Sequence, residues 1–492
     1  MRLVQEGKID LDASVSSYLP DFAPKSGGYD LKAVTVRSLL THHSGLQSDV
    51  FAGFMTGPER PEGYPRPYAD NVRLASETTL CAPSGEVFSY SNLGYSLLGL
   101  IVEKVSGKDF ADYEQKTIFE PLGMNSSSFL IEDRFADRYA HSPVGGKESG
   151  IPYIRDMPAG SLNVSVDDMG RFLSAVIAQG SGVKGGILDP ETQAEMWKQQ
   201  NTGCALDGDF SIGLCYWIMS VRALPGERLV GHGGDLNNYH ALLIVDPARK
   251  LGLFVMVNSA KGLGSISLEG IASEALRDFG GLSGGPDFAP ASPQPKETTF
   301  PTGLAQRLQG DYASMQGLIR MKAKGDQLAA NVGGKWLTCY YRDDGAIGLR
   351  ANVLGIELPI PELKEISVTP ESVGGESTMA LRAHGIFLGM AIKAKAETVP
   401  AAWLARQGQW VPVAKEKTPM VQGATLSLDK DSGLFILTVS MLGTKEIFPV
   451  HAVSDTEIRT LGEGRNLGMT IGVSGSENAE TMNLFGVNLK RR

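Results

Sequence analysis

Cysteine is scarce in this 492-residue chain, and its few cysteines form no metal-binding or redox motif. Cys81, Cys204, Cys215 and Cys339 lie far apart, without a CxxC pair and without the spacing of a zinc site. Isolated cysteines of this kind are most often buried thiols that pack like small apolar side chains. The cysteines therefore predict no bound metal, and they do not identify a cellular compartment.

Excess positive charge and long apolar runs are missing as well. The net charge is −9 and the pI is about 5.4, so the chain lacks the basic footprint that nucleic-acid binding requires. No apolar stretch is long enough to span a bilayer, and Met1 is not followed by the apolar core of a signal peptide. Composition thus predicts no nucleic-acid partner and no transmembrane segment, while the location of the protein stays open.

Common phosphate, metal and nucleophile signatures are also absent or out of context. The sequence has no P-loop, HExxH motif or EF-hand loop, and "GEGRNLG" at 462–468 has the wrong glycine spacing for a dinucleotide loop. "GLSGG" at 281–285 fits GxSxG around Ser283, but a helical pattern precedes it and a linker follows. A nucleophile elbow needs a strand before and a helix after the serine. No cofactor is predicted.

The first 280 residues combine helical patterns with a few strong strand patterns. The β-rich runs "GLCYWIMSV", "YHALLIVD" and "LGLFVMVN" follow several helices, and a last helix ends at Gly280. The predicted helix starts, each marked by a capping residue, are Thr35, Ser91 or Asn92, Ser165 with Asp168, and Asp189 with Pro190. This mixture predicts an α+β domain, a mixed sheet with a helical subdomain, over residues 1–279.

Beyond residue 279 the composition changes. Residues 280–301 are rich in Gly, Pro and Ser, which is typical of a linker. Short alternating strands separated by Gly, Asp and Asn follow, a pattern of antiparallel barrels or sandwiches. A weak internal repeat divides this part near residue 398. The sequence predicts β-barrel domains at 302–398 and 399–492.

Three local segments carry side chains that chemistry could use. "FSYSNLGY" at 88–95 places Tyr90 and Asn92 two positions apart, just before a long apolar helix. A tyrosine there can move a proton if a cation lowers its pKa, and an asparagine can hold a catalytic partner or a substrate amide. The alternative is structural: a helix cap with a tyrosine packed beside it.

The second and third segments are "GHGGDLNNY" at 231–239 and "VRSLLTHHSGL" at 36–46. Gly233 and Gly234 let the backbone approach a ligand closely, and the N–H of Asp235 could face an oxyanion. A glycine-rich hairpin with a solvent-facing His232 is the alternative. The segment 36–46 is as consistent with a packed helix and its glycine exit as with a place near the site.

Taken together and in order, these segments resemble the serine hydrolases of the class C β-lactamase, penicillin-binding protein and D-aminopeptidase superfamily. The segments "IFEPLGMNSSSF", "PAGSLNVSVDDMGRFL" and "LFVMVNS" extend the resemblance over residues 1 to about 275. Tyr90 and Asn92 match the family's Y-x-N motif, and His232, Gly233 and Gly234 match its H-x-G motif. The two predicted barrels resemble the lipocalin-like barrels of the D-aminopeptidase branch.

The family's first motif, S-x-x-K, has no counterpart where the resemblance requires it. Ser181 to Lys184 fits the spacing, but it follows a helix end in a glycine-rich loop. The family needs the serine at a helix start, so that the lysine one turn on faces its hydroxyl. "MRLVQEG" resembles the tail of that helix, and we expect the nucleophile and its base to lie upstream of Met1.

The resemblance implies acyl transfer in the complete family form. Lysine and Tyr90 would manage the proton of the serine, Asn92 would orient the lysine and the substrate amide, and an N–H near Asp235 would bind the oxyanion. A neutral His232, in place of a lysine, favours esters, amides or D-amino-acid peptides over penicillins. The alternatives are a non-catalytic binding protein and a truncated gene product. The resemblance also suggests an extracytoplasmic, periplasmic location, whereas a homo-oligomer is possible and the sequence leaves the oligomeric state open.

Overall fold

The computed structural model of the chain shows an α+β domain followed by two closed antiparallel barrels. No helix in the described part of the chain is long and apolar enough to cross a membrane. The structure describes all residues except 57–59, 65–69, 145–146, 179–186, 220–227, 237, 259–267, 281–294, 354–355, 359, 365, 384–385, 414–419, 442–443 and 477–478.

The α+β domain contains short helices around one long helix. Helices of this domain pack around a shared cluster of buried apolar side chains, which includes Leu3 on α1 and Leu97 on α4. The helices are α1 (Arg2–Gln5), α2 (Val36–Leu40), α3 (Asn71–Ser76), α4 (Asn92–Ser106), α5 (Phe110–Glu114), α6 (Glu120–Leu122), α7 (Met157–Gly160), α8 (Val166–Ile177), α9 (Pro190–Trp197) and α10 (Glu269–Phe279).

The helix starts follow the capping residues that the sequence predicts. Thr35 and Ser38 form a reciprocal capping box at α2, and the Ser91 hydroxyl accepts the backbone N–H of Gly94 at α4. Ser91 rather than Asn92 is therefore the N-cap of α4, which leaves the Asn92 side chain available for other contacts. Gly107 ends the helix in the left-handed conformation, with φ of 70°.

An antiparallel sheet in the order β5-β6-β7-β8-β9 lies behind the helices. The amphipathic helices α8 and α10 pack on it and bury the apolar sides of β8 and β9. The strands of this domain are β1 (Met55–Thr56), β2 (Ser142–Val144), β3 (Lys147–Ser149), β4 (Tyr153–Ile154), β5 (Ser211–Ile212), β6 (Trp217–Met219), β7 (Leu229–Leu236), β8 (Tyr239–Asp246) and β9 (Leu251–Val257).

The first barrel is closed where β14 pairs with β15. Strand β10 lies inside the segment predicted as a linker and pairs with β14 at the barrel surface. The elements of this part are β10 (Glu297–Thr298), α11 (Leu304–Leu308), β11 (Gly310–Ser314), β12 (Gly317–Lys324), β13 (Gln327–Val332), β14 (Lys335–Arg342), β15 (Ile347–Val353), β16 (Ile356–Leu358), α12 (Pro361–Lys364), β17 (Ile366–Val373), β18 (Glu376–Ala383) and β19 (Ile386–Lys393).

The second barrel runs in simple sequence order from β20 to β27, and β20 closes it against β27. Its interior is filled with apolar side chains such as Trp410 and Phe448. The elements are α13 (Ala401–Ala405), β20 (Gly408–Pro412), β21 (Val421–Leu428), β22 (Phe435–Met441), β23 (Thr444–Ser454), β24 (Glu457–Thr460), β25 (Thr470–Ser474), β26 (Thr481–Leu484) and β27 (Val487–Arg491).

The two barrels begin in the same way, as the weak sequence repeat suggested. In each, a five-residue helix precedes a strand that carries a fully buried aromatic residue. The Tyr312 hydroxyl donates to the carbonyl of Leu308 at 3.1 Å, and Trp410 Nε1 donates to the carbonyl of Arg406 at 3.2 Å. Both bonds reach back four residues, so the aromatic side chain fixes the helix to the strand in both barrels.

The second barrel packs directly against the α+β domain. The loop between β24 and β25, residues 461–469 and here called the barrel loop, lies against the segment that precedes Tyr90. Gly468 has φ of +70°, and a Cβ there would come within 2.4 Å of the Cys81 carbonyl oxygen, so only glycine fits. On the next turn, Phe485 accepts a hydrogen bond from the backbone N–H of Phe51 at 2.8 Å.

Candidate active site

Tyr90 lies at the centre of a group of side chains from three parts of the chain. Its ring stacks on the imidazole of His42, with a centroid distance of 4.1 Å and a tilt of 29°. His42 follows α2, has φ of 58° and accepts the Ser91 backbone N–H on Nδ1 at 3.0 Å. Burial holds the pKa of His42 well below its usual value, so the ring is neutral and acts as an acceptor. The segment 36–46 therefore does contribute to this site.

The phenol of Tyr90 is held in its protonated form. Burial raises its pKa to about 12, and the positive charge of Arg465 opposes that shift only in part. Proton transfer by Tyr90 depends on a cation that lowers this pKa, and Arg465 alone does not meet that condition, because desolvation outweighs its charge. Tyr90 is thus a hydrogen-bond donor at neutral pH, and a further cation beside it is needed before it can act as a base.

Asn92 is anchored by a buried carboxylate that sequence reasoning did not identify. Its Nδ2 donates to Asp49 Oδ1 at 2.7 Å, and the Ser48 hydroxyl donates to the other oxygen of Asp49 at 2.5 Å. Asp49 is buried. Since the amide nitrogen of Asn92 points to Asp49, its carbonyl oxygen is the atom that remains for a ligand N–H or a lysine.

Arg465 of the barrel loop covers this group from the second barrel. Its guanidinium lies 5.0 Å from the centroid of the Tyr90 ring, within the range of a cation–π contact. Nε donates to Ser48 Oγ at 3.2 Å, and Nη2 lies 3.8 Å from Asp49 Oδ2. Arg465 belongs to the segment "GEGRNLG" at 462–468, whose glycine spacing does not fit a dinucleotide loop, and its side chain reaches the Y-x-N motif.

His232, on strand β7, contributes a second imidazole to the site. Its ring is 4.6 Å from the ring of Trp217 and 6.3 Å from the ring of Tyr90, between centroids. Nδ1 donates to the carbonyl of Gly233 at 2.5 Å, and burial lowers the pKa of His232. The imidazole is therefore neutral with its proton on Nδ1, which leaves Nε2 as an acceptor.

The glycines after His232 lie in a regular antiparallel ladder. Gly233 and Gly234 pair with Leu242 and Ala241 on β8. The Asp235 carboxylate is half exposed and binds His240 Nδ1 at 2.6 Å. The role of the Asp235 N–H and the two glycines in binding an oxyanion stays a prediction.

A buried ion pair fixes the segment before Tyr90. His43 donates from Nδ1 to the carbonyl of Thr41 at 2.7 Å, and its Nε2 lies 2.8 Å from Asp207 Oδ2. Asp207 also accepts the Asn201 amide at 2.6 Å and the Phe88 backbone N–H at 3.1 Å. Asp207 thus connects the end of α2 with the residue two positions before Tyr90.

Cys204 lies near this ion pair, so that His43, Cys204 and Asp207 offer three ligand atoms within 4.8 Å of one another. Such a set could hold a metal ion. All three side chains already have hydrogen-bond partners, including the Gly85 carbonyl at 3.2 Å from Cys204 Sγ. The donor set is therefore satisfied as an ion pair with a neighbouring thiol.

The four cysteines differ in how deeply their side chains are buried. The prediction of buried thiols is confirmed for Cys81 and Cys339 and wrong for Cys204 and Cys215, which are partly exposed. Cys215 has φ of 71° and donates its backbone N–H to Leu40 at 3.1 Å, close to Tyr95. All four are free thiols.

No Ser-x-x-Lys pair stands on a helix in the described part of the chain. Ser181 and Lys184 lie outside the described residues, as does Ser283. A further match, Ser427 to Lys430, lies at the end of β21 in the second barrel. Ser427 belongs to that strand and Lys430 to the turn that follows it, so this serine does not begin a helix that would bring the lysine to its hydroxyl.

Comparisons with known proteins identify the family of the chain. A family profile described as Beta-lactamase matches residues 1–272, more than half of the chain. The chain belongs to the Beta-lactamase family. This Beta-lactamase domain includes Tyr90, Asn92 and His232, whereas Arg465 comes from outside it.

Curated relatives of this Beta-lactamase family chain include a penicillin-binding protein. The chain is 26% identical over 319 residues to "Penicillin-binding protein 4" of Amycolatopsis lactamdurans, a match that covers 62% of this chain and 80% of that protein. It is 24% identical over 269 residues to "Protein flp" of Staphylococcus aureus strain MRSA252, covering 52% of this chain and 49% of that one. The chain thus spans about half the length of the latter relative.

Among solved structures, the crystal structure of SurE matches with a TM-score of 0.54 at 21% identity. The match covers 80% of this chain and 84% of that one. It therefore extends beyond the Beta-lactamase domain, and at this identity it shows a shared fold.

Proposed function

We propose that this site performs acyl transfer by a serine hydrolase mechanism. The observation that carries the proposal is the position of Tyr90, whose ring stacks on neutral His42 and lies 6.3 Å from the ring of His232. Asn92, two residues after Tyr90, is held by Asp49 through its amide nitrogen, which leaves its carbonyl oxygen available. A tyrosine, an amide oxygen and a neutral imidazole at one place suit proton transfer around an acylated nucleophile.

The proposal assigns the nucleophilic serine and its lysine to residues that precede Met1 in a longer gene product. The serine oxygen would attack a carbonyl carbon, and its proton would pass to the lysine and Tyr90. The leaving group would take that proton, and water would release the acyl group. Once protonated, the lysine would also add a second cation beside Tyr90, in addition to Arg465, and so lower a pKa that burial holds at about 12.

The proposed substrates are amides, esters or D-amino-acid peptides. A neutral His232, with its pKa lowered by burial, supplies no permanent charge at the position where other members carry lysine. A homo-oligomer and an extracytoplasmic location stay predictions.

A fluorophosphonate probe tests the proposed mechanism. The 492-residue chain is not expected to label, whereas a product extended by the in-frame upstream codons should label on a serine of a Ser-x-x-Lys helix. In the extended product, Tyr90→Phe should slow labelling about 10²-fold, the lower end of the effect of a general acid or base. The measurement is the rate of probe incorporation, followed by mass spectrometry.

Tyr340→Phe in the first barrel is the matched control, because its ring contacts Arg350 far from the site. It should label at the unchanged rate. Stop codons directly upstream of Met1, or labelling that does not respond to Tyr90→Phe, would contradict the proposal.

A non-catalytic binding protein is the second candidate function. One observation favours it: among the described residues, no Ser-x-x-Lys pair lies near Tyr90. Binding of acyl ligands without labelling of either form would support this function over the first. A truncated product with no function of its own is the third possibility. Such a product should aggregate more than the extended one, since lost strands expose an unpaired edge.

A further inference from the structure

We propose that Arg465, carried by the barrel loop, binds a carboxylate group of the ligand at the Tyr90 site. The inference rests on the proposed function, and it adds a substrate class: acyl compounds and peptides with a free carboxylate. The anion would be held by the second barrel and not by the Beta-lactamase domain.

The backbone of the barrel loop is shaped to bring Arg465 to this position. Gly464 has φ of +108°, and a Cβ there would lie 3.3 Å from the Phe88 carbonyl oxygen, two residues before Tyr90. Gly468 lies even closer to the Cys81 carbonyl. Glycines at both ends of the arginine therefore allow the loop to lie directly on the segment that leads into the Y-x-N motif.

The guanidinium has donors to spare. Among the described residues it makes one hydrogen bond, from Nε to Ser48, and its side chain is 43% exposed. A guanidinium offers five N–H donors arranged as a fork that matches a carboxylate. Most of that fork remains available to a ligand that enters beside Tyr90.

The contact with Asp49 does not occupy the fork. An arginine that fixes a carboxylate makes two parallel short bonds, as Arg406 does with Glu480 in this barrel through Nη2 at 2.5 Å and Nε at 2.9 Å. Arg465 Nη2 stands 3.8 Å from Asp49, whose oxygens already accept Asn92 and Ser48. Asp49 therefore attracts the Arg465 guanidinium without occupying its N–H donors.

Arg465 is also the cation that acts on Tyr90 among the described residues. His42 and His232 are both neutral, and the remaining charges that reach Tyr90 are acidic groups or a thiol. An anionic ligand group placed between the imidazoles would meet no positive charge there. The barrel loop thus supplies the charge that neutral His232 does not, which reverses the expectation that a substrate carboxylate is disfavoured.

Equilibrium binding to the 492-residue chain tests this assignment without any catalytic step. The probes are N-acetyl-D-alanyl-D-alanine and its C-terminal amide, which differ only in the carboxylate, and ligand-observed NMR measures both dissociation constants. We expect the acid to bind at least about tenfold more tightly than the amide, with a preference that falls as salt increases.

Arg465→Gln should bring the two dissociation constants together, and Arg465→Lys should retain part of the preference because it keeps the charge but loses the fork. Arg492→Gln, at an exposed arginine of the same barrel, should leave the preference unchanged. Thermal melting checks that each variant is folded.

Equal affinity of the wild-type chain for the acid and the amide, or no binding of either at millimolar concentration, would overturn the proposal. An undiminished preference in folded Arg465→Gln would overturn it as well. Fluorophosphonate labelling of the extended product is read separately. Failure of the acyl-transfer mechanism therefore appears there, and failure of carboxylate recognition appears in the ratio of the two affinities.

Discussion

Replacing Arg155 by methionine is expected to lower the free energy of unfolding of the α+β domain by about 3–5 kcal/mol, the cost of breaking one side of a buried ion pair. Arg155 Nε lies 2.7 Å from Asp156, and the two side chains are 5% and 0% exposed. The other nitrogens donate to the carbonyls of Ala52 and Val50 at 2.6 and 2.9 Å. Methionine would leave Asp156 with Asn71 as its remaining partner.

Urea unfolding followed by circular dichroism measures this change. Burial already raises the pKa of Asp156, so the variant should regain part of its stability when this carboxyl is protonated at lower pH. Arg134→Met is the control, since Arg134 pairs with Glu132 at the surface and such pairs contribute about 0–1 kcal/mol. An Arg155 variant as stable as the Arg134 variant would show that this ion pair is not needed.

Arg155 also supports the candidate site. The carbonyls that Arg155 binds belong to the segment just after Asp49, the residue that holds Asn92. Arg155 thus fixes this segment from within the domain, while Phe485 and the barrel loop contact it from the second barrel.

Asp207→Asn is expected to remove most of a strong pH dependence of stability. Burial alone would lower the pKa of His43, but its hydrogen bonds to Asp207 and Cys204 outweigh burial and raise the pKa to about 9. The unfolded value is about 6.5. The folded protein therefore holds this proton more tightly. The resulting stability is fully present below pH 6.5 and is lost as the pH rises through 9, an effect of about 3 kcal/mol.

Unfolding free energies measured between pH 6 and about 10 test this, and the imidazole signals of His43 in NMR report its pKa directly. In Asp207→Asn the decline over this window should nearly disappear. The matched control is Asp209→Asn in the same loop, where an exposed carboxylate pairs with Arg382. A wild-type decline that survives in Asp207→Asn would show that His43 is not its source.

The parts of the fold that the sequence predicted are those decided by neighbouring residues. Helix starts at Thr35 and Ser165 depend on a side chain and an N–H three positions apart, so a local pattern suffices. The two barrels were visible because alternating strands and turn residues repeat. The pairing of strand β10 with β14 was not, because a two-residue strand within a linker composition leaves no pattern.

The candidate site divides in the same way. Tyr90, Asn92 and His232 belong to short motifs, and the structure places Tyr90 and His232 close together. Asp49 and Arg465 carry no motif, and Arg465 meets Ser48 across 417 positions of the chain. The pKa of Tyr90 also depends on how deeply the ring is buried, which a motif does not encode.

The barrel loop separates two properties that are usually tied together in an enzyme. The residues proposed to move protons lie just before α4 and on β7, while the residue proposed to choose the ligand lies on a turn between two barrel strands. Substitutions in that turn can alter ligand choice without touching the core of the Beta-lactamase domain. Duplication or exchange of a barrel can then change the ligand preference of the site, while the residues proposed to move protons stay the same.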